Sequence, residues 1–114
     1  MITVNEKSFE QEVLASSVPV LINFWAPWCG VCRLINPLLN QFKPFAGGSS
    51  PIKLVSINAD ENFKLANAYR LKTLPTLLLI EGGRVQARIE GFRGRDELKH
   101  ALEQISSHCQ LYSA

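Results

Sequence analysis

The stretch Val18-Pro19-Val20-Leu21-Ile22-Asn23-Phe24-Trp25-Ala26-Pro27-Trp28-Cys29-Gly30-Val31-Cys32 decides the reading of this chain. From Val18 to Ala26 it is almost wholly apolar, with branched and aromatic side chains, which suits a central strand buried on both faces. Asn23 is the one amide inside that run, and its neighbours Ile22 and Phe24 put it inside the sheet. Trp28 to Gly30 is a loop. From about Cys29 to Phe45 the apolar residues Leu34, Ile35, Leu38, Leu39 and Phe42 recur at helical spacing, with Pro37 expected to kink the helix. Two cysteines therefore stand where a buried strand hands over to a helix. A sulfur at a helix N-terminus lies beside unsatisfied backbone N–H groups, and these favour the thiolate. Cys32 lies one turn further along the same side, within disulfide reach of Cys29. Thiol–disulfide exchange needs this pattern of an exposed attacking thiol followed by a more buried resolving one.

Outward from that stretch, the chain punctuates itself. Ile2 to Val4 is β-prone, and Asn5 or Ser8 is expected to cap a first helix to Ala15, packing Phe9, Val13 and Leu14. Gly47-Gly48-Ser49-Ser50-Pro51 is a loop, and Ile52 to Ile57 a strand. Asp60 is expected to cap a short helix through Tyr69, with Phe63, Leu65, Ala66 and Tyr69 packing. After a turn at Thr73 to Pro75, Thr76–Glu81 and Arg84–Glu90 form a hairpin around Gly82-Gly83. Gly91 and Gly94 bracket a loop. Asp96 to Ser107 closes the chain as a helix, with Leu98, Ala101, Leu102 and Ile105 on one stripe. The order β-α-β-α-β-α-β-β-α gives an α/β fold. Strands joined through helices are expected to pair in parallel, and the last hairpin adds an antiparallel pair.

Length and composition agree with one domain over residues 1–114, with 106–114 read as a C-terminal tail. The 114 residues are 46% apolar and 19% charged, enough to bury roughly 65% of the unfolded surface. Twelve basic against ten acidic residues leave a net charge of +2, too little to argue for nucleic acid or an anionic membrane. No apolar run is long enough to span a bilayer. The first fifteen residues carry three glutamates and no apolar h-region, so no signal peptide is expected. Three cysteines do not make a disulfide-dense secreted scaffold, and a reducing cytoplasm is the default compartment. A zinc site would need two more ligands. His100, His108 and Cys109 are the candidates, and they form no second close pair, so no metal is expected.

Trp25-Ala26-Pro27-Trp28-Cys29-Gly30-Val31-Cys32 resembles the active-site stretch W-A-x-W-C-G-P-C of the thioredoxin family. Phe24, Pro37, Asp60, Leu74-Pro75-Thr76, Gly82-Gly83 and Gly91 follow the same pattern, so the resemblance runs from Met1 to about Ile105. It implies a thioredoxin fold, with about five strands in a mixed sheet and about four flanking helices. It also implies protein-disulfide reduction without a bound cofactor, with Cys29 as nucleophile and Cys32 as resolving cysteine. Pro75 matches a cis-proline facing the dithiol. Sequence alone would favour trans, because only about 5–6% of X–Pro bonds are cis. Trp28, Leu74, Gly91 and Phe92 match an apolar groove for substrate backbone, which Gly30, Val31 and Pro75 also line. The implied partners are disulfide-containing target proteins and a thioredoxin reductase of unspecified type, and the chain is expected to be a monomer.

Three positions depart from the pattern. Val31 replaces a proline and supplies an N–H near Cys29. Asn23 stands where typical members have an aspartate behind the resolving cysteine, and Ser56 where many have a lysine. Asn23 cannot serve as a general base, and its amide should find partners in water or in the Cys32 region. Trp25 is expected largely in the core. Arg33 and Arg93 are candidates for a basic rim, and Cys109 for a bystander. Two other functions fit a dithiol with this groove. One is a disulfide oxidase or isomerase. The other is a redox-linked chaperone or binding module.

Overall fold

The computed structural model describes residues 1–41 and 52–113, with side chains described through residue 105. Five strands form one sheet in the order β1-β3-β2-β4-β5: β1 Ile2–Thr3, β2 Val20–Trp25, β3 Lys53–Asn58, β4 Thr76–Glu81 and β5 Arg84–Glu90. Among the described residues three α-helices accompany it, α1 Gly30–Gln41, α2 Phe63–Ala68 and α3 Arg95–Ser113. The expected loop at 47–51 and the expected helix end at Phe45 lie outside the described residues.

β2 is the centre because both its faces are apolar. Val20, Ile22 and Phe24 join Val4, Phe9, Val13, Val55, Ile57, Leu78 and Ile80 in one core. Leu21 faces the other way, onto Ile35 and Leu39 of α1, Leu77 and Leu79 of β4, and Leu98, Leu102 and Ile105 of α3. Each such side chain, fully buried, contributes about 1.5–3 kcal/mol.

β1 and β2 run parallel to β3, as strands joined through helices should. β4 does not follow that expectation and runs antiparallel to β2, with Phe24 opposite Thr76. The reason is length. α2 has six residues and spans about 9 Å at 1.5 Å per residue, too short to carry the chain back along the sheet. The chain re-enters where β3 ended, and β4 runs down. β5 then returns antiparallel to β4, bringing Glu90 beside Thr76. Four segments consequently converge at one end of the sheet: the exit of β2, the exit of β3, the entrance of β4 and the exit of β5.

Local structure departs from expectation in three places. The first helix is a single π-turn, Glu10–Leu14, closed by Ala15 N–H to Glu10 O at 2.8 Å. Asn5 does cap the preceding turn, its Oδ1 accepting from Lys7 and Ser8 N–H. The wider turn buries Phe9 and Val13 but leaves Leu14 exposed. Asp60 is not a helix cap. It lies within a 3₁₀ turn, Ala59–Glu61, capped by Asn58, whose Oδ1 accepts Asp60 N–H at 2.9 Å. Finally, α3 continues to Ser113 rather than ending near Ser107.

Candidate active site

Cys29 stands immediately before the first residue of α1 and is disulfide-bonded to Cys32, with Cα atoms 5.2 Å apart. Its Sγ accepts the Cys32 N–H at 3.2 Å. A side-chain acceptor at the N-cap bonds the N–H three residues on in the same way, so this sulfur occupies the place of a capping oxygen. When the disulfide opens, the helix start favours negative charge there. The N–H that reaches the sulfur is therefore that of Cys32, not of Val31. Gly30 is exposed, with open space where a Cβ would be.

The exposed attacking thiol expected from the sequence is not found in this disulfide form. Cys32 is fully buried, but Cys29 is only 6% exposed, because Ala26, Trp25, Val31 and Leu74 pack around the disulfide. Trp28, expected at the rim of the site, is 69% exposed. Its indole N–H donates to both carboxylate oxygens of Asp60, at 2.9 and 3.1 Å. That is the role of Asp60, which sequence reasoning assigned to a helix end. Trp25 is half-buried beside the cysteines, and its Nε1 is buried without a partner among the described residues.

The Leu74–Pro75 bond is cis and leads into β4, with Leu74 packed on the cysteine cluster and Pro75 buried. Gly91 follows the end of β5 with φ +79°, a conformation glycine adopts without the Cβ clash. Phe92 is largely buried, packing in the core with α1 and α3 residues, and it also lines an open pocket with Glu90, Gly91 and Asp96. Phe63, expected to pack, is 70% exposed. Arg33 and Arg93 are both exposed. His100 is exposed beside Gln104, while the side chains of His108 and Cys109 lie outside the described ones.

Behind the disulfide, Asn23 is fully buried. Its Nδ2 donates to Asn36 Oδ1 at 2.8 Å, so its partner is a second amide on α1. Its own Oδ1 has none among the described residues. Ser56 lies beside it on β3, half-buried. Pro37 follows Asn36 inside α1 and lacks the N–H that would bond the Arg33 carbonyl. No group of three or more metal-ligating side chains occurs among the described residues, and no described helix is long and apolar enough to cross a membrane.

A strand-to-helix disulfide beside a cis-proline on a five-stranded mixed sheet defines a thiol–disulfide exchange protein. The thioredoxin family model matches residues 1–104, and the chain belongs to that family. It is similar to thioredoxin 1 of a Nostoc species, 40% identical over 100 residues, covering 88% of this chain and 92% of that one. It is also similar to the thioredoxin of Haemophilus influenzae, 38% identical over 102 residues and covering 89% and 92%. Chloroplastic thioredoxin M4 of Arabidopsis thaliana is 39% identical over 102 residues, which cover 89% of this chain and 51% of that longer one.

Proposed function

We propose that this protein reduces disulfides in other proteins. The observation that carries the reading is the Cys29–Cys32 disulfide at the start of α1, with Cys29 Sγ on the Cys32 N–H. In the reduced protein, Cys29 thiolate attacks a target sulfur and expels the other target sulfur as thiolate. Cys32 then attacks Cys29 in the mixed disulfide, releasing the second target sulfur. The target leaves as a dithiol and the protein as the disulfide, so two electrons pass from protein to target. Trp28, Gly30, Val31, Leu74, Pro75 and the Gly91 backbone form the edge that receives the target chain, with the Phe92 side chain supporting it from the core. Asn23, Ser56 and Pro37 tune the pair from behind.

No cofactor takes part. A thioredoxin reductase returns the electrons, and the cyanobacterial and chloroplastic relatives make a ferredoxin-dependent enzyme worth testing beside an NADPH-dependent one. The chain acts as a monomer in a reducing cytoplasm. Reduction of insulin disulfides with dithiothreitol as electron source tests the reading. Wild type should accelerate insulin precipitation, Cys29→Ser should fall to background, and Cys32→Ser should accumulate mixed disulfides with its targets. A Cys29→Ser protein that traps targets would reverse the two roles. A wild type that oxidises or reshuffles disulfides but does not reduce them would overturn the reading.

A further inference from the structure

The side chains of Leu21, Asn23 and Trp25 alternate onto the face of β2 that meets α1. On α1, Cys32, Ile35, Asn36 and Leu39 are spaced i, i+3, i+4 and i+7, a single stripe turned toward β2. Cys32 stands one turn before Asn36 on that stripe. Cys32, Ile35 and Leu39 are fully buried, as is Asn23 opposite. One end of the Asn23 amide is fixed, because Nδ2 donates to Asn36 Oδ1 at 2.8 Å. The other end, Oδ1, is a buried acceptor with no donor among the described residues. The Ser56 hydroxyl, its neighbour on β3, makes no hydrogen bond to it.

A buried acceptor without a donor is rare in native proteins. Here the sulfurs are in the disulfide form, in which neither carries a hydrogen. Reduction by dithiothreitol breaks the S–S bond, delivers two electrons and two protons, and leaves the reductant as a cyclic disulfide. Cys29, at the helix start, holds the more acidic thiol, so Cys32 keeps its proton as an S–H group. This creates a donor on the stripe facing Asn23 that did not exist before.

We propose that Asn36 is a positioning residue that holds the Asn23 carbonyl oxygen as an acceptor reserved for the Cys32 S–H of the reduced protein. In the oxidised form Asn23 Oδ1 has no donor among the described residues, and in the reduced form the Cys32 S–H supplies one. The pair therefore favours reduction of the protein and makes it a weaker reductant than the same fold with an apolar residue at position 23. This rests on thiol–disulfide exchange at Cys29–Cys32, but not on the identity of the targets.

The test is the equilibrium of the pure full-length protein with reduced and oxidised dithiothreitol, joined to the infrared S–H band of the reduced protein with Cys109→Ser as background. Asn23→Leu should shift the equilibrium toward oxidised protein by about three- to tenfold, which is about 14 to 30 mV more negative for a two-electron couple. The Cys32 S–H band should move to the higher frequency of a free thiol. Asn36→Ala, which frees the Asn23 amide to turn, should shift both readouts in the same direction by less. It also provides a second variant if Asn23→Leu fails to fold. Ser56→Ala should move both readouts by much less than Asn23→Leu, because the Ser56 hydroxyl does not bond Asn23 Oδ1. Equal constants and equal bands in wild type, Asn23→Leu and Asn36→Ala would overturn the proposal. So would a shift reproduced in full by Ser56→Ala. Neither result depends on insulin reduction, so loss of the reductase reading and loss of this one are told apart.

Discussion

On one face of the sheet, Val20, Ile22 and Phe24 meet Val55, Ile57, Leu78 and Ile80, with Val4, Phe9 and Val13 packed over them. The polar side chains buried at its margin are fully used. Thr76 Oγ1 donates to Thr73 O at 2.7 Å. Asn62 accepts from Glu6 N–H and donates to Asn58 O. On the opposite face, the same strand sends Asn23 and Trp25 toward the dithiol, and each keeps a buried polar atom without a partner among the described residues. The first face follows the rule that buried polar groups are satisfied. The second breaks it within reach of the cysteines. Both faces of β2 bury apolar cores, but the dithiol shares its face with the unpartnered atoms of Asn23 and Trp25.

That division can be broken by mutation. The largest effect is expected from Ile22→Ala on the apolar face. It removes buried methylenes and leaves a cavity, at a cost of about 2–5 kcal/mol. Urea unfolding should show a lower midpoint with an unchanged m-value, and the dithiothreitol equilibrium should stay at the wild-type value. A change in that equilibrium would mean the faces are coupled.

Asn23→Asp comes next. Among the described residues, the side chain at position 23 meets the Asn36 amide and pairs across the sheet with Ser56, neither of them a cation, so burial should raise the new carboxyl's folded pKa above the unfolded value of about 3.9. The folded state then binds the proton more tightly, and stability falls as pH rises from about 4 through the folded pKa. Melts should give a variant close to wild type at pH 4 and weaker by about 2–3 kcal/mol at pH 7. An equal penalty at both pH values would indicate misfit in place of charge.

Tyr69→Phe is the smallest. The Tyr69 ring packs near Phe9 and Phe24, at centroid distances of 5.9 and 6.2 Å, and burial pushes its phenol above the usual value of 10.0. Native Tyr69 therefore keeps its proton where the unfolded chain loses it, and wild type should lose stability as pH rises above about 10. The phenylalanine variant should match wild type at pH 7 and lack Tyr69's share of the alkaline loss. Identical alkaline profiles would remove Tyr69 as its cause.

Much of this was legible from sequence where local pattern and tertiary use coincide. β2 announces itself by an apolar run, the hairpin by Gly82-Gly83, and the dithiol by its spacing at a strand-to-helix junction. Asp60 was misread because an acidic residue before a helix has two good uses, and only the fold brings Trp28 to it across 32 positions. Asn36 left no signal. An asparagine before a proline in a helix looks like a surface residue until β2 is laid beside it. The direction of β4 was hidden in the length of α2, which sequence reading overestimated by extending it back to Asp60.

The strand order leaves β1 and β5 at the margins of the sheet. An open margin invites a strand from another molecule, and long, flat, apolar margins polymerise. β1 is two residues long. β5 carries Arg84, Arg88 and Glu90, and Arg88 turns its guanidinium onto the Tyr69 and Arg70 carbonyls as well as Glu90. Lateral growth is blocked on both sides by brevity and by charge. Visitors are thereby directed to the strand ends, where Trp28 stands open to solvent. A protein proposed to exchange disulfides with other chains can present that sticky end without templating their aggregation.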